Sequence, residues 1–595
     1  MFEVLERGGL GRKGLWTRGG RELTTPLVLW VHRPGHPAPG FAEALLVQER
    51  TADPRLQIRL GGSIFAPRAP ESADDLPPAK GLPRSAAELE VPQAAIAGDL
   101  ALVSGESDLA AALAAEVAFF ANGPEYLRSP REFVSAIVDA REHLGPGRLL
   151  AATGLAAPSN LACLVYAGVD LVDSSRVVLD SVRGIFHTSD GSVPLDEADR
   201  AACACPACEA GQDLRAHNER ALYRELLLVR NHLAHGRLRE LVERRLANDP
   251  WNTAVVRHLD LRHFDAVEAY TPVSGGKILA YSHESLTRPE VLRFRRRVRD
   301  RYSKPASARI LLLLPCSARK PYSRSRSHRK FRDAILASRN PSVVHEVVVT
   351  SPLGLIPREL EHFYPARAYD IPVTGDWNKE EAAMVVEDLR AFVGANRYDA
   401  VVAHLGAEAS VVRGVLPEAV VTSDGRPTAE GSLASLTKSL SEIASGLPHA
   451  TRGQRFAEEM SNVARFQFGD AGRALVEGVA FRGRFPDVHL VRDGVQVAMY
   501  TGRGLLSLTL AGGAVLSAKD AYCVEIEDFI PKGNVFAVGV TGAAKEIRAG
   551  ADVVVRHARQ VRAVGTARMS AREMLDAERG EAVRVRHAVG ASPNP

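Results

Sequence analysis

Twice along this chain, short apolar runs alternate with stretches of helical periodicity, and few folds accommodate that alternation. In the first stretch LTTPLVLWV (23–31), DLALVSG (99–105) and RLLAATG (148–154) read as strands. SDLAAALAAEVAFFA (107–121) and SPREFVSAIVDAREHL (129–144) read as helices, and NLACLVYAGVDLVDSS (160–175) carries the pattern on. Parallel strands need a crossover between them, so this succession predicts an α/β domain with a parallel sheet or barrel. A long helix is expected around 214–246, and PESADDLPPAKGLPRS (70–85) reads as a surface excursion.

The second alternation starts near Leu286, where Thr287 and Glu290 stand at capping-box spacing and predict a helix start. RILLLLP (309–315) is an uninterrupted apolar strand, as in a sheet covered on both faces. HRKFRDAILAS (328–338), VVHEVVVTS (343–351), EEAAMVVEDLRAFV (380–393) and YDAVVAHL (398–405) continue helix, strand, helix, strand. Beyond residue 441 the character changes. GQRFAEEMSNVARFQFG is helical and DVHLVRDGVQVAMYT has an Asp-Gly hairpin signal. CVEIEDF, VFAVGV and DVVVRH are short strands of a β-rich terminal domain. The expected division is 1–285, 286–440, 441–516 and 517–592.

Length agrees with several domains: 595 residues exceed one hydrophobic core, and roughly three to five domains are expected. A content of 46% hydrophobic and 25% charged residues excludes a wholly disordered chain. No apolar run approaches the ~20 residues of a membrane span, and the start MFEVLERGGLGRKGLW lacks a signal peptide's apolar centre. The expected location is therefore the cytoplasm, with no membrane partner. Net charge is +4, and 64 of the 75 basic residues are Arg. Guanidinium suits bidentate phosphate contacts, although a GC-rich genome gives the same skew.

Six cysteines are too few for a disulfide framework, yet three crowd together as Cys203-Ala-Cys205-Pro-Ala-Cys208. Thiolates this close repel unless a cation holds them, and Zn²⁺ accepts a tetrahedral Cys₃His set. His217, nine positions after Cys208, is the first candidate for the fourth ligand, with His232 and His235 further along the same helix. No open-site signature accompanies the cluster, so the zinc is expected to be structural. Three unligated thiols in a loop are the alternative.

The densest reactive segment runs from Pro315 to His328. It holds Cys316, Lys320, Pro321, Tyr322, Ser323, Ser325 and His328 within fourteen positions, between an apolar strand and a helix. That places it at the carboxyl edge of the predicted sheet, where ligands bind. Cationic neighbours would lower the Cys316 pKa and favour a nucleophilic thiolate. A basic, Ser-rich solvated loop with one Cys at a strand end is the competing reading. A third candidate is Asp170 with Asp173 at the strand end GVDLVDSS, where barrel enzymes carry carboxylates; a turn or cap Asp is the plainer alternative.

Together these blocks resemble the archaeosine synthases, paralogues of the tRNA-guanine transglycosylases, over nearly the whole chain. GVDLVDSSRVVLDSVRGIF, then CACPAC and HNERALYRELLLVRNHLAHGRLREL, is similar to the transglycosylase strand, zinc cluster and following helix. Pro315-Cys316, Lys320-Pro321-Tyr322, Ser325 and His328 match the motif that separates the synthases from transglycosylases. SPLGLIPRELE and YDIPVTGDWN belong to the same core. EIEDFIPKGNVFAVGVTGAAKEIRAGADVVV, with VGTARMSAREM and RGEAVRVRH, resembles a PUA RNA-binding domain.

The resemblance implies a fold and a reaction. The fold is α/β multidomain: a degenerate TIM-barrel-like transglycosylase domain with a zinc site, a Rossmann-like core domain, a small α+β module and a β-rich PUA domain. The substrate would be tRNA carrying 7-cyano-7-deazaguanine in its D-arm, whose nitrile becomes the amidine of archaeosine. L-lysine or another amine donor adds to the nitrile, and a radical-SAM partner subunit then cleaves the adduct. Asp173 matches the transglycosylase nucleophile, but LALVSGESDLA stands where DSGGFQ would carry the second aspartate. The barrel is thus expected to hold RNA or base without exchanging bases.

Within that reading Cys316 forms a thioimidate with the nitrile, and His328 or Tyr322 passes protons to its nitrogen. Lys320 stabilises thiolate or phosphate, and Ser323 or Ser325 orients the amine. A structural Cys316 beside direct amine attack is the alternative chemistry. Lys519, Lys532 and Arg548 are the candidate RNA contacts of the PUA domain, and relatives' zinc segments imply a homodimer. The rival functions are a true transglycosylase inserting 7-cyano-7-deazaguanine and a non-catalytic tRNA-binding subunit.

Overall fold

The computed structural model describes residues 2–32, 35–47, 51–59, 100–103, 115–120, 123–197, 200–372 and 377–590. The chain divides into two compact units, Met1–Thr271 with Arg572–Gly580, and Pro272–Ala571 with Glu581–Pro595. The 70–85 excursion and most of the 107–121 segment lie outside the described residues. Among the described residues no helix is long and apolar enough to cross a membrane.

The first unit opens with an antiparallel sheet of β1 (Phe2–Gly8), β2 (Gly11–Arg18) and β3 (Arg21–Thr25). Seven parallel strands follow: β4 (Leu27–His32), β5 (Ala44–Val47), β6 (Leu56–Arg59), β7 (Leu100–Val103), β8 (Val117–Phe120), β9 (Leu149–Ala152) and β10 (Leu171–Asp173). Their order is β6-β5-β4-β10-β9-β8-β7, so the last strand pairs with the first. Helices α1 (Pro130–Leu144), α2 (Leu161–Tyr166), α3 (Ser175–Val182), α4 (Leu214–Ala234) and α5 (Leu238–Arg245) accompany this sheet. The hairpin of β11 (Ile185–Thr188) and β12 (Gly191–Pro194) lies between α3 and α4 in the chain.

Three expectations need correction. The apolar run 23–31 is two strands in two sheets, because the chain turns at Pro26 between β3 and β4. Residues 117–120, read as helix, form β8 with all four side chains buried, so burial outweighed the Ala-rich helical pattern. The long helix around 214–246 breaks at Gly236, whose φ of 63° takes the left-handed conformation that ends α4.

The second unit begins with β13 (Ile278–Leu279) and α6 (Pro289–Arg301). The capping box here is Ser282 with Ser285, ahead of the 3₁₀ turn His283–Thr287, and not Thr287 with Glu290. Thr287 instead donates its hydroxyl to the Glu284 carbonyl. Next come β14 (Ile310–Pro315), α7 (Arg326–Leu336), β15 (Val344–Thr350), β16 (Gly354–Pro357), β17 (Tyr369–Asp370), α8 (Lys379–Ala395), β18 (Ala400–Ala403), β19 (Val420–Val421) and α9 (Glu430–Ala444). The sheet runs β16-β15-β14-β18-β19, parallel except for β16. Every side chain from Ile310 to Leu314 is 0% exposed, as the uninterrupted apolar run required. A short parallel pair, β13 with β17, stands beside it in the chain order.

Helix α10 (Arg452–Phe468) leads to a four-stranded meander, β20 (Ala480–Arg484), β21 (Asp487–Arg492), β22 (Val495–Tyr500) and β23 (Leu506–Leu508). The predicted Asp-Gly turn is there: Asp493 and Gly494 have φ of 50° and 80°. Six strands close the chain: β24 (Cys523–Ile526), β25 (Val535–Phe536), β26 (Val540–Ala543), β27 (Asp552–His557), β28 (Gln560–Ala567) and β29 (Glu581–Ala588).

A buried ion cluster fastens the first unit. Asp170, at the entry to β10, accepts from Arg12 Nε at 2.7 Å, from Arg141 at 2.9 Å and from the Leu150 amide at 2.8 Å. Burial alone would raise the Asp170 pKa, but Arg12 and Arg141 hold it below the ordinary carboxylate value. Asp170→Ala should therefore cost about 3–5 kcal/mol in denaturant unfolding, because two buried cations lose their partner. The wild-type increment is present above the ordinary carboxylate pKa and lost as pH falls through the depressed one. An unchanged midpoint for Asp170→Ala would contradict this role.

Candidate active site and candidate metal centre

Strand β14 is central in its sheet, and the chain leaves it toward β15 on one side and later returns to β18 on the other. The carboxyl ends of such strands border a crevice. An open cleft of about 1020 Å³ lies there, lined among others by Cys316, Ser351, Trp377, Asn378, Glu381 and Glu408. Cys316 follows the last residue of β14 and is half-buried. Burial raises its thiol pKa, Glu408 pushes the same way, and Lys320 opposes without prevailing. This corrects the sequence expectation: one ammonium does not offset desolvation, so the resting group is a thiol.

The motif residues form a web behind the thiol. Lys320 Nζ sits 4.1 Å over the Tyr369 ring and has no hydrogen-bond acceptor among the described residues. Burial lowers its pKa, with Cys316 and Asp370 pulling it back up. Tyr322 is 0% exposed, and its hydroxyl meets that of Tyr369, which in turn meets Thr350 Oγ1 at 2.7 Å. Burial pushes both phenol pKa values up.

His328 donates from Nε2 to the Pro315 carbonyl at 3.0 Å, while Arg358 donates to Nδ1 at 2.8 Å. Burial, with Arg358 adding to it, pushes the imidazole pKa down to about 2. A neutral ring with both nitrogens engaged has no proton to pass at neutral pH; His328 anchors the exit of β14. Ser325 accepts from the His328 amide at 3.2 Å as the N-cap of α7, and the Ser323 amide donates to Glu361 at 3.0 Å. The motif therefore places the Cys316 thiol at the cleft, leaves the Lys320 ammonium without an acceptor among the described residues and spends its remaining polar groups on the loop that carries them.

Sequence reasoning missed the cleft's carboxylates. Glu381 stands in the first turn of α8, in a capping box with Asn378, and accepts from Ser351 Oγ at 2.6 Å. Glu408 lies after β18, and its carboxylate makes no hydrogen bond or ion pair among the described residues. Both lie more than sixty positions past Cys316, where spacing gives no signal; the one usable clue was a carboxylate just past a strand end.

In the first unit Cys203, Cys205, Cys208 and His217 place their ligand atoms within 4.8 Å of one another. His217 Nδ1 lies 3.6, 3.4 and 3.3 Å from the three sulfurs in chain order. Its Nε2 donates to the His187 carbonyl at 2.8 Å, which fixes the tautomer that frees Nδ1 for a metal. The ring stacks on Phe186 at 3.8 Å. His232 and His235 direct Nδ1 to carbonyls of their own helix, so His217 is the fourth member. The donor set fits a tetrahedral soft metal such as zinc.

Asp173, at the end of β10, is 0% exposed and accepts from the Gly154 amide at 2.8 Å and the Ser175 amide at 2.7 Å. Ser175 Oγ also donates to it. Burial raises its pKa. In the terminal sheet region Lys519 and Lys532 are exposed, whereas Arg548 is half-buried and donates to the Lys545 and Ile547 carbonyls.

A chain that combines a thiol-bearing α/β crevice with a PUA domain is of the class that acts on structured RNA. Residues 524–589 match the PUA domain, and residues 291–440 match a domain of unknown function (DUF5591). Archaeosine synthase of Haloferax volcanii is 37% identical, the match covering 81% of this chain and 84% of that one. Archaeosine synthase subunit alpha of Methanosarcina acetivorans is 37% identical over 77% of each chain. A tRNA-guanine(15) transglycosylase of Methanothermobacter thermautotrophicus is 27% identical over 77% of this chain and 68% of its own. The chain belongs to the archaeosine synthase family.

Two measurements check this geometry. Elemental analysis should find about one zinc per chain, lost in His217→Ala and kept in His232→Ala; the opposite pattern would reassign the ligand. Peptide-mapped alkylation of Cys316 should be slow at neutral pH and rise as pH climbs past the ordinary thiol value. Alkylation at neutral pH as fast as that of a free thiolate would contradict the raised pKa.

Proposed function

We infer that this chain is the enzyme that joins an amine to the nitrile of 7-cyano-7-deazaguanine in tRNA, on the way to archaeosine. The observation that carries the reading is the placement of Cys316 in an open cleft at a parallel-sheet crevice, in a chain of this family. The Cys316 thiol adds across the nitrile: sulfur bonds to carbon, and the proton goes to nitrogen, giving a thioimidate. The amine then attacks that carbon, sulfur leaves as thiol, and an N-substituted amidine remains. L-lysine is the proposed donor. Glu381 and Glu408 would hold its ammonium groups and take the proton the attacking amine must lose. Lys320, the cation beside Cys316, would stabilise the thiolate as it forms. Tyr322, Ser325 and His328 act as positioning residues.

The remaining assignments follow the same reading. Residues 1–285 form a degenerate transglycosylase-like barrel, supported by the circular succession of β4 to β10. Residues 286–440 form the catalytic core, 441–516 a small α+β module and 517–592 the PUA domain. Zinc is structural, held by Cys203, Cys205, Cys208 and His217. Lys519, Lys532 and Arg548 contact RNA, the chain forms a homodimer, and a radical-SAM partner completes the amidine. Asp173 has its oxygens engaged by Gly154 and Ser175, which favours this reading over base exchange.

Incubation with nitrile-bearing tRNA and lysine, followed by nucleoside mass spectrometry, tests the reading. The wild type should add lysine to the nitrile, and Cys316→Ala should lower the rate by at least about 10²-fold. Normal adduct formation by Cys316→Ala removes the covalent step. Guanine exchange into unmodified tRNA with no adduct would instead make the chain a transglycosylase.

A further inference from the structure

Some surface arginines of this protein have acidic partners: Arg309, Arg426 and Arg559 each pair with an aspartate. Arg324, Arg367 and Arg503 have none among the described residues. None of their side chains makes an ion pair or a hydrogen bond among the described residues, and they come from three separate segments of the second unit.

Their backbones are gathered around residues 361–363. Arg324 follows Ser323, whose amide donates to Glu361 at 3.0 Å. The Arg367 amide donates to the Phe363 carbonyl at 3.0 Å. Arg503 precedes Gly504, which has φ of 74° and lies so close to His362 that a Cβ would stand 2.3 Å from its carbonyl oxygen. The His362 ring in turn packs on Phe485, in the turn between β20 and β21, at 4.4 Å. Arg367 is half-buried, and its pKa is pushed down by burial and then by Arg503 and Arg324, with no acidic group in opposition. Three like charges held this way repel each other until an anion bridges them. The rim adjoins the reactive loop in sequence: Arg324 is two residues after Tyr322, and Arg367 two before Tyr369, the pair whose hydroxyls meet.

We propose that Arg324, Arg367 and Arg503 form a phosphate-binding site that seats the RNA backbone of the substrate beside the cleft. Guanidinium forks match phosphate oxygens, and a contact at this rim fixes the register in which a splayed-out base enters without reading sequence. The site rests on the reading that tRNA is the substrate.

The test uses the full chain and fluorescent nitrile-bearing tRNA, with binding followed between about 50 and 200 mM salt. Arg324→Ala and Arg503→Ala, both exposed, should each flatten the log–log salt slope by about 1, and the double variant by about 2. Arg426→Ala, which loses a paired surface arginine, should keep the wild-type slope. An unchanged slope in the double variant overturns the proposal. Calorimetry with inorganic phosphate separates the sources: saturable phosphate binding lost in the double variant, with an unchanged tRNA slope, assigns a small-anion site and overturns it too. A flattened slope in a protein that forms no lysine adduct leaves this site standing and strikes the proposed chemistry alone.

Discussion

The second unit is organised by a strand that cannot meet water on either face. Ile310 to Leu314 are wholly buried, with β15 and β18 on their edges, so the polar groups that follow can emerge only at the carboxyl end. Each such side chain contributes roughly 1.5–3 kcal/mol by leaving water. That investment makes the exit point rigid. Cys316, the residue after β14, is thereby placed at the mouth of the crevice with little conformational choice.

Rigidity of the strand would be wasted if the loop after it wandered. The loop is held by groups that look reactive in sequence and are not free to react. Tyr322 is sealed into a hydroxyl chain with Tyr369 and Thr350, and His328 bridges the Pro315 carbonyl to Arg358. The electrostatics follow from the same burial. Desolvation keeps Cys316 as a thiol and lowers the pKa of Lys320, whose Nζ has no acceptor among the described residues. The carboxylate of Glu408, which makes no hydrogen bond or ion pair among the described residues, lines the same cleft.

Much of this was legible along the chain. The apolar run 309–315, the thiol cluster 203–208 and the Asp-Gly turn each carry a local signal whose physical cause is short-ranged. The errors have a common cause as well. Residues 117–120 read as helix because alanines precede them, and tertiary burial made them a strand. The run 23–31 hid a change of sheet at Pro26. In the site, sequence could find Cys316 but not the upward push that burial gives its thiol pKa, since burial belongs to the fold. Nor could it find Glu381 and Glu408, which reach the cleft from other strand ends, or the unpaired Arg503, whose meaning depends on Gly504 meeting His362.

The central claim is that capture of the nitrile takes place at β14 in the second unit and not in the parallel sheet that ends at Asp173. Protein incubated with nitrile-bearing tRNA without any amine, then digested and analysed by mass spectrometry, addresses it directly. A nucleoside mass attached to the peptide containing Cys316 is the predicted result. Attachment to the peptide containing Asp173 instead, with Cys316 unmodified, would contradict it.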